Sequence, residues 1–259
     1  MSTATNRQHG RAATAEEVKA ANRRFYDAIA ERYEEIDGRR SEGLKRWLRA
    51  RLVELREAAP GGRLLDIGSG SGLVARCADG IFAHRVGTDI SPEILRANAD
   101  AFDESVACDC DALPFADESF DAVTCFAVLH HLHSFDGLVA EVARVLRPGG
   151  VFYSDHDMDE RFYRRFRPLL EVYRRLHNAC GKYRRASSAV TEDMYRLSEF
   201  HETGIDAESL CRLLRAKGLH AVRRCHWHGL APATDLVFGT ASYPRGWAPL
   251  VSVWASRPA

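Results

Sequence analysis

Residues 64–72 read Leu-Leu-Asp-Ile-Gly-Ser-Gly-Ser-Gly, and this stretch decides the fold. The apolar residues around Asp66 predict a short buried strand, and an apolar run compatible with a helix begins at Leu73. Glycines at positions 68, 70 and 72 alternate with serines in between. Because glycine has no Cβ and tolerates positive φ, a ligand can lie directly against the backbone of such a turn. The stretch therefore predicts a strand, a ligand-binding turn and a helix.

A second acidic residue follows at the end of the next apolar run. The carboxylate of Asp89 is placed there to accept hydrogen bonds from both hydroxyls of a ribose. The dinucleotide fingerprint G-x-G-x-x-G requires glycine at position 73, which is Leu73. The spacing therefore favours a nucleoside cofactor that lacks a pyrophosphate. A structural aspartate that caps the helix beginning at Ser91-Pro92 is the alternative.

Strands and helices alternate after this turn, as they do in βαβ units with a parallel sheet. Strands are predicted at 63–67, 84–89, 105–109, 121–126, 150–155, 219–227 and 249–255. Helices are predicted near 72–79, 92–101, 135–146 and 206–217, after two helices within residues 14–59. A helical stretch at 160–179, a polar turn and a segment at 190–200 interrupt the alternation.

This order of elements predicts an α/β protein with a Rossmann-like, doubly wound sheet of seven mostly parallel strands. Its parts are a disordered lead-in (1–13), an N-terminal helical cap (14–59), a cofactor-binding core (60–155), a helical insertion that serves as an acceptor lid (156–205) and the C-terminal part of the core (206–259).

Three later segments have the same order and spacing as motifs of a known family. They are Asp-Cys-Asp-Ala-Leu-Pro-Phe at 109–115, Phe-Ala-Val-Leu-His-His-Leu-His at 126–133 and Val-Leu-Arg-Pro-Gly-Gly at 145–150. With the glycine turn and Asp89, they resemble the class I S-adenosylmethionine-dependent methyltransferases, among them the small-molecule enzymes of ubiquinone and menaquinone biosynthesis. The resemblance covers residues 63–155 and is weak beyond them.

This resemblance implies S-adenosyl-L-methionine as cofactor and methyl transfer to oxygen, nitrogen or carbon of a small molecule. In the family, the acid after the third strand accepts from the adenine amino group and a neighbouring N–H reaches a ring nitrogen. Asp109 and Cys110 hold those positions, and Asp111 is the nearby alternative. The predicted cofactor-binding residues are Asp66, Gly68, Ser69, Gly70, Gly72, Asp89, Ile90, Asp109, Cys110, Phe126 and Tyr26.

A hydroxyl or acidic carbon acceptor would also need a general base, and imidazole titrates near neutrality. The candidates, in order, are His131, His133 and His156; packing or capping roles, or an enzyme with no dedicated base, are the alternatives. Tyr26 and Tyr33 lie a heptad apart and serve either as cation–π partners of the sulfonium or as a buried helix stripe. The predicted acceptor-binding residues are Tyr33, Asp155, Tyr195 and His201.

Metal binding is not predicted. Seven cysteines without a C-x-x-C pair indicate neither a disulfide framework nor a zinc site. The histidines at 130, 131 and 133 lack the H-E-x-x-H pattern. Asp155, His156 and Asp157 could begin a divalent-metal site, but the remaining ligands are not evident from the sequence.

Charge and hydropathy limit the partners. With 36 basic and 36 acidic residues, no global field attracts the chain to nucleic acid or membrane. Arginines concentrated at 161–185 allow an anionic small-molecule acceptor, or an RNA track as in a tRNA methyltransferase. A non-catalytic nucleoside-binding regulatory protein on the same fold is a further alternative. The absence of a signal-like or membrane-spanning apolar run predicts a cytoplasmic protein without a membrane partner, and a homodimer is left open.

Overall fold

The computed structural model describes residues 7–8, 11–37, 41–177 and 179–259. In this part of the chain, seven strands form one sheet: β1 (Arg63–Ile67), β2 (His84–Asp89), β3 (Glu104–Ala107), β4 (Phe120–Phe126), β5 (Leu146–Met158), β6 (His220–His226) and β7 (Leu250–Ser256). The strand order is β3-β2-β1-β4-β5-β7-β6. Strand β7 is antiparallel to β5 and β6, and the other neighbours are parallel.

The α-helices of the described residues flank this sheet or cover its carboxyl edge. They are α1 (Ala15–Ile29), α2 (Tyr33–Asp37), α3 (Glu42–Ala58), α4 (Leu73–Cys77), α5 (Pro92–Ala97), α6 (Asp136–Val145), α7 (Glu160–His177), α8 (Ala179–Ala186), α9 (Glu192–Ser198), α10 (Ala207–Ala216) and α11 (Pro232–Phe238). None of the helices in the described ranges is both long and apolar enough to cross a membrane.

Strand β1 divides its side chains between two cores, because successive residues of a strand face opposite sides of the sheet. Leu64 packs in one core with Leu52 of α3 and Val74 of α4. Leu65 lies in the other core with Leu138 of α6 and with the buried face of α10. The glycine turn that follows β1 is therefore fixed from both sides.

A third, smaller core joins the N-terminal cap to the insertion. Phe25 and Ile29 of α1 are buried with Val190, and Tyr183 of α8 and Tyr195 of α9 pack against them. Burying such large apolar side chains contributes about 1.5–3 kcal/mol each. The cap and the predicted acceptor lid thus form one layer over the carboxyl edge of the sheet.

The seven-stranded, mostly parallel sheet predicted from the sequence is confirmed. Strand β5 is longer than predicted, because Leu146 already pairs with Phe120 before a register shift leads to the pair of Val151 with Ala122. A helix, α8, replaces the predicted polar turn. Helix α11 was not predicted, because it buries no residue and so lacks an apolar period.

The predicted disordered lead-in is only partly described. Residues 7–8 and 11–12 pair as two short antiparallel strands, where the sequence predicted no regular structure. Residues 1–6 and 9–10 of the lead-in lie outside the described residues.

Candidate active site

A cavity of about 230 Å³ lies at the carboxyl ends of β1, β2 and β4. This is the edge of an open α/β sheet where ligands bind, beside the point at which the strand order reverses between β1 and β4. Helices α1 and α8 supply Tyr26 and Tyr183 to its wall, and Glu199 follows α9. The core, the cap and the insertion therefore all contribute to one site.

The glycine turn forms the floor of the cavity. Gly68 has a φ of 66°, and a Cβ there would lie 2.5 Å from Val128 Cγ2, so only glycine fits. Gly70 has a φ of 51°, and the nearest atom to a Cβ there would be Tyr33 Cε1 at 3.8 Å. The bare backbone of Gly70 thus faces the cavity beneath the Tyr33 ring.

Asp66, near the end of β1, carries a buried oxygen to which no other described residue donates a hydrogen bond. Its Oδ1 accepts a hydrogen bond of 2.8 Å from Thr124 Oγ1, whereas Oδ2 has no hydrogen-bond partner among the described residues. Burial, with a smaller contribution from the Asp89 charge, raises the pKa of Asp66 to about 7. A buried carboxylate oxygen of this kind favours a cationic or hydrogen-bond-donating ligand in the cavity.

Asp89 holds the glycine turn from the neighbouring strand. Its Oδ2 accepts from Gly70 N and its Oδ1 accepts from Ser91 N, each at 3.0 Å. Burial raises the pKa of Asp89 to about 6, although the backbone hydrogen bonds oppose the rise. Ser91 Oγ, not Asp89, accepts from Ile94 N and caps α5. Asp89 is therefore not the N-cap of α5. Each of its carboxylate oxygens accepts one hydrogen bond from the backbone and can accept another from a ligand.

The predicted adenine-binding residues have a cationic neighbour that the sequence did not reveal. Lys19 Nζ of α1 lies 2.6 Å from Asp109 Oδ2 and 2.8 Å from Asp111 Oδ2. Partial burial opposes the charge, but the two carboxylates raise the pKa of Lys19 above its ordinary value. Asp109 Oδ1 also accepts from Asp111 N at 2.9 Å, an Asx-turn bond. Cys110 lines the cavity between these acids.

His131, the first of the predicted bases, is a buried structural residue. Its Nδ1 lies 2.6 Å from Ser198 O and donates to it, and its Nε2 accepts from Tyr26 OH at 2.8 Å. Burial lowers the pKa of His131 to about 4. With both ring nitrogens engaged, it cannot accept a proton from an acceptor without breaking one of these bonds. His133 is exposed at the rim, where its Nε2 lies 3.2 Å from Ala13 O.

His130, rather than His131 or His133, has the contacts expected of a general base. Its Nδ1 lies 2.6 Å from Asp157 Oδ1, and the same oxygen accepts from His130 N at 3.0 Å. Its Nε2 is 3.7 Å from Glu199 Oε2, and the residue lines the cavity. A buried carboxylate that receives the Nδ1 proton holds the ring in the tautomer whose Nε2 can accept a proton.

Several other predicted residues also line the cavity, but four do not. Those that line it include Ser69, Ile90, Phe126, Tyr33 and His156. A Cβ on Gly72 would meet Ala101 Cβ at 2.3 Å, so this glycine serves helix packing rather than the cofactor. The predicted acceptor-binding residues outside the lining are Asp155, which is fully buried, Tyr195, which packs against Tyr183, and His201, whose N–H donates to His130 O.

A doubly wound sheet with this strand order carries a glycine turn after β1 and acids at or just beyond the ends of β1, β2 and β3, which defines an α/β protein with a ligand site at the carboxyl edge of its sheet. Residues 65–154 match the family model described as a methyltransferase domain. The chain belongs to the class I S-adenosylmethionine-dependent methyltransferases. It is an enzyme that transfers a methyl group to a small molecule, and neither RNA methylation nor a non-catalytic role is favoured.

The membership rests on relatives that match most of the chain. The ubiquinone/menaquinone biosynthesis C-methyltransferase of Bordetella avium is 30% identical over 212 residues, which are 76% of this chain and 79% of that protein. Its counterpart in Burkholderia mallei is 29% identical over 212 residues, with 76% and 84% covered.

Solved structures share the fold. A S-adenosylmethionine-dependent methyltransferase of Thermotoga maritima has a TM-score of 0.59 at 15% identity, with 91% of this chain and 99% of that chain covered. The N-methyltransferase NodS of Bradyrhizobium japonicum has a TM-score of 0.53 at 14% identity, with 85% and 99% covered.

Proposed function

We propose that the cavity binds S-adenosylmethionine across the glycine turn and presents its methyl group to a hydroxylated aromatic acceptor. Asp66 would receive the ammonium group of the cofactor, Asp89 the ribose hydroxyls, and Asp109 with the Cys110 N–H the adenine. The unpartnered Oδ2 of Asp66 is the observation that carries this assignment, because it is the atom that a bound cation would satisfy. When bound, the cofactor supplies a methyl group on an activated sulfonium leaving group.

The residues present fit that cofactor. The turn at Gly68 and Gly70 leaves bare backbone against the cavity, and Tyr33 lies above it. Since the leaving group is already activated, the main contribution of the protein is alignment, for which effective molarities of ~10⁵–10⁸ M bound the gain. Lys19 must release or share Asp109 when an adenine amino group binds there.

The charges of the cavity favour an uncharged acceptor. Among the described lining residues, Lys19 is the only Lys or Arg, and it is already paired with Asp109 and Asp111. Glu199 adds a negative charge beside the imidazoles. The arginines of α7 lie elsewhere and include Arg164, which pairs with Glu160. An anionic acceptor would therefore lack a cationic partner in this cavity.

The aromatic lining and His130 support a hydroxylated aromatic ring as the acceptor. Tyr26, Tyr33, Phe126 and Tyr183 provide faces for a planar ring. His130 Nε2 would accept the proton of a ring hydroxyl, and Asp157 would hold its ring in place. Deprotonation of a phenol activates its oxygen and its ortho carbon. The names of the relatives, C-methyltransferases of ubiquinone and menaquinone biosynthesis, agree with a ring-carbon acceptor.

A transfer assay tests this proposal. The enzyme, given methyl-labelled S-adenosylmethionine, should label uncharged phenols and hydroquinones, but label matched hydroxybenzoates at least tenfold less efficiently by kcat/KM. Mass spectrometry of the product would assign the methylated atom. Preferential labelling of the carboxylated series, or of bulk tRNA, would overturn the assigned acceptor class.

The ribose assignment can be tested by replacing Asp89 with alanine. We expect S-adenosylhomocysteine to bind at least tenfold more weakly by calorimetry, because two charge-assisted hydrogen bonds to the ligand and the support of Gly70 N are lost. Glu57→Ala, at an exposed position of α3, is the matched control and should bind as the wild type does. Unchanged affinity in folded Asp89→Ala would refute the assignment.

A further inference from the structure

A cluster of side chains that could bind a metal ion lies next to the cavity, and only one of its members lines the cavity. Asp155 and His156 of β5 and His226 at the end of β6 place one ligand atom each within 4.8 Å of one another. Asp155 and His226 are 0% and 2% exposed, and the His156 side chain is 9% exposed. None of these residues has a role in the cofactor and acceptor contacts proposed above, although His156 also lines the cavity.

The two oxygens of Asp155 have different surroundings. Its Oδ2 accepts hydrogen bonds from Trp47 Nε1 at 3.1 Å and from Tyr153 OH. Its Oδ1 accepts from His156 N at 2.6 Å and lies 2.8 Å from His226 Nε2 and 3.2 Å from His156 Nδ1. Three donors therefore hold Asp155 as a carboxylate, and Oδ1 faces both imidazoles.

The contact between Asp155 Oδ1 and His226 Nε2 depends on which nitrogen of His226 carries the proton. Its Nδ1 lies 3.1 Å from His228 O, and a carbonyl oxygen can only accept, so Nδ1 carries the proton. In a neutral His226 ring, Nε2 then carries no proton, and its lone pair is directed at Asp155 Oδ1, 2.8 Å away. Two acceptors at this distance repel unless a positive charge lies between them, supplied by a second ring proton or by a metal ion.

His156 provides an independent indication of a ligand. Both of its ring nitrogens are buried, and neither makes a well-directed hydrogen bond within the described part of the chain, although Nδ1 lies 3.2 Å from Asp155 Oδ1. Its φ of 68° is an unfavourable conformation for a residue with a side chain. Phe126 stacks on the ring at 4.4 Å, and a Cβ on Gly229 would lie 2.2 Å from Nε2. The fold thus holds the His156 ring, which lacks well-directed hydrogen bonds to the described residues, beside Asp155 and His226, whose facing atoms both accept hydrogen bonds.

We propose that Asp155 Oδ1, His156 and His226 Nε2 bind one divalent transition metal ion of the zinc type. A set of two imidazoles and one carboxylate suits zinc better than magnesium or calcium. The partners that orient these ligands are already present, since His228 O receives the His226 Nδ1 proton and Trp47 and Tyr153 hold Oδ2. Three protein ligands leave a fourth position for a water or an acceptor oxygen, as in sites that are not purely structural.

The site could not be deduced from the sequence. The sequence offered Asp155, His156 and Asp157 as the start of a metal site without further ligands. The missing ligand, His226, is 71 residues from Asp155 in the sequence and comes close to it only because β7 pairs with both β5 and β6.

Metal binding by the full-length protein tests the proposal without any methyl acceptor. Protein stripped with a chelator should bind one equivalent of Co²⁺ and develop the visible d–d absorption of a low-coordinate site, and Zn²⁺ should abolish that absorption by competition. His226→Gln and His156→Gln should each weaken Co²⁺ binding at least 100-fold, and Trp47→Phe about 10–100-fold. His220→Gln, at an exposed position near the start of β6, should bind as the wild type does.

The outcomes separate a metal site from a buried ion pair. If His226→Gln fails to fold, as judged by circular dichroism, His156→Gln remains the deciding variant, because the His156 ring makes no well-directed hydrogen bond to any of the described residues. No saturable Co²⁺ binding by the folded wild type, or binding that survives the folded His156 or His226 variants, would overturn the proposal. His226 would then be a protonated imidazolium paired with Asp155 alone.

Discussion

Replacing His130 with glutamine should lower kcat for methyl transfer by about 10²–10⁴-fold, the usual contribution of a general base. The amide side chain can still donate to Asp157, but it offers no basic nitrogen to the acceptor hydroxyl. The affinity for S-adenosylhomocysteine should stay within about twofold, because the residues assigned to the cofactor are untouched. Steady-state kinetics with the best phenol, together with calorimetry, would measure both quantities.

The histidine controls decide between His130 and the other imidazoles. His220→Gln, far from the cavity, should retain wild-type kcat. His131→Gln should lower thermal stability, since the buried ring bridges Tyr26 OH and Ser198 O. A His130→Gln enzyme with kcat within threefold of the wild type would contradict the assigned base and favour the alternative in which alignment alone suffices.

Local sequence patterns predicted the fold and the glycine turn because the contacts that form them join residues close together in the sequence. The strand around Asp66, the turn at Gly68 and Gly70 and the capped start of α5 at Ser91 each depend on a few neighbouring residues. The structure places Asp66 and Asp89 at the cavity, as the spacing predicted.

The choice among the histidines could not be made from sequence. His131 follows His130 directly, and only the Ser198 carbonyl and Tyr26, from two different helical segments, show that His131 is the structural one. His130 meets Asp157 because β4 and β5 are neighbours, a contact across 27 residues. Lys19 reaches Asp109 from the N-terminal cap, where the resemblance to the family gives no guidance.

Replacing Asp66 with asparagine should change stability and cofactor affinity in opposite directions. Burial raises the pKa of Asp66 from 3.8 to about 7, so the folded state holds this proton more tightly than the unfolded state. The stability contributed by that proton is therefore present below about pH 4 and is lost as the pH rises to about 7. At pH 8 the buried charge costs the folded protein roughly 4 kcal/mol, at about 1.4 kcal/mol per pKa unit.

Asparagine removes that charge but leaves a buried amide, which costs about 1–3 kcal/mol. We expect a net gain of about 2 kcal/mol at pH 8, which raises the Tm of the ligand-free protein by roughly 5 °C. The gain should disappear near pH 4, where the wild-type residue is protonated. Calorimetric scans at both values, with exposed Glu57→Gln as the matched control, would measure it. An Asp66→Asn protein less stable than wild type at pH 8 would contradict the charge argument.

The same variant should bind S-adenosylhomocysteine at least tenfold more weakly at pH 8, because it lacks the carboxylate proposed to receive the ammonium group. In the wild type, affinity should rise as the pH increases through about 7, when Asp66 ionises. The variant should keep only the weaker dependence near pH 6 that belongs to Asp89. A gain in stability with unchanged affinity would mean that the buried charge is real but does not face the cofactor.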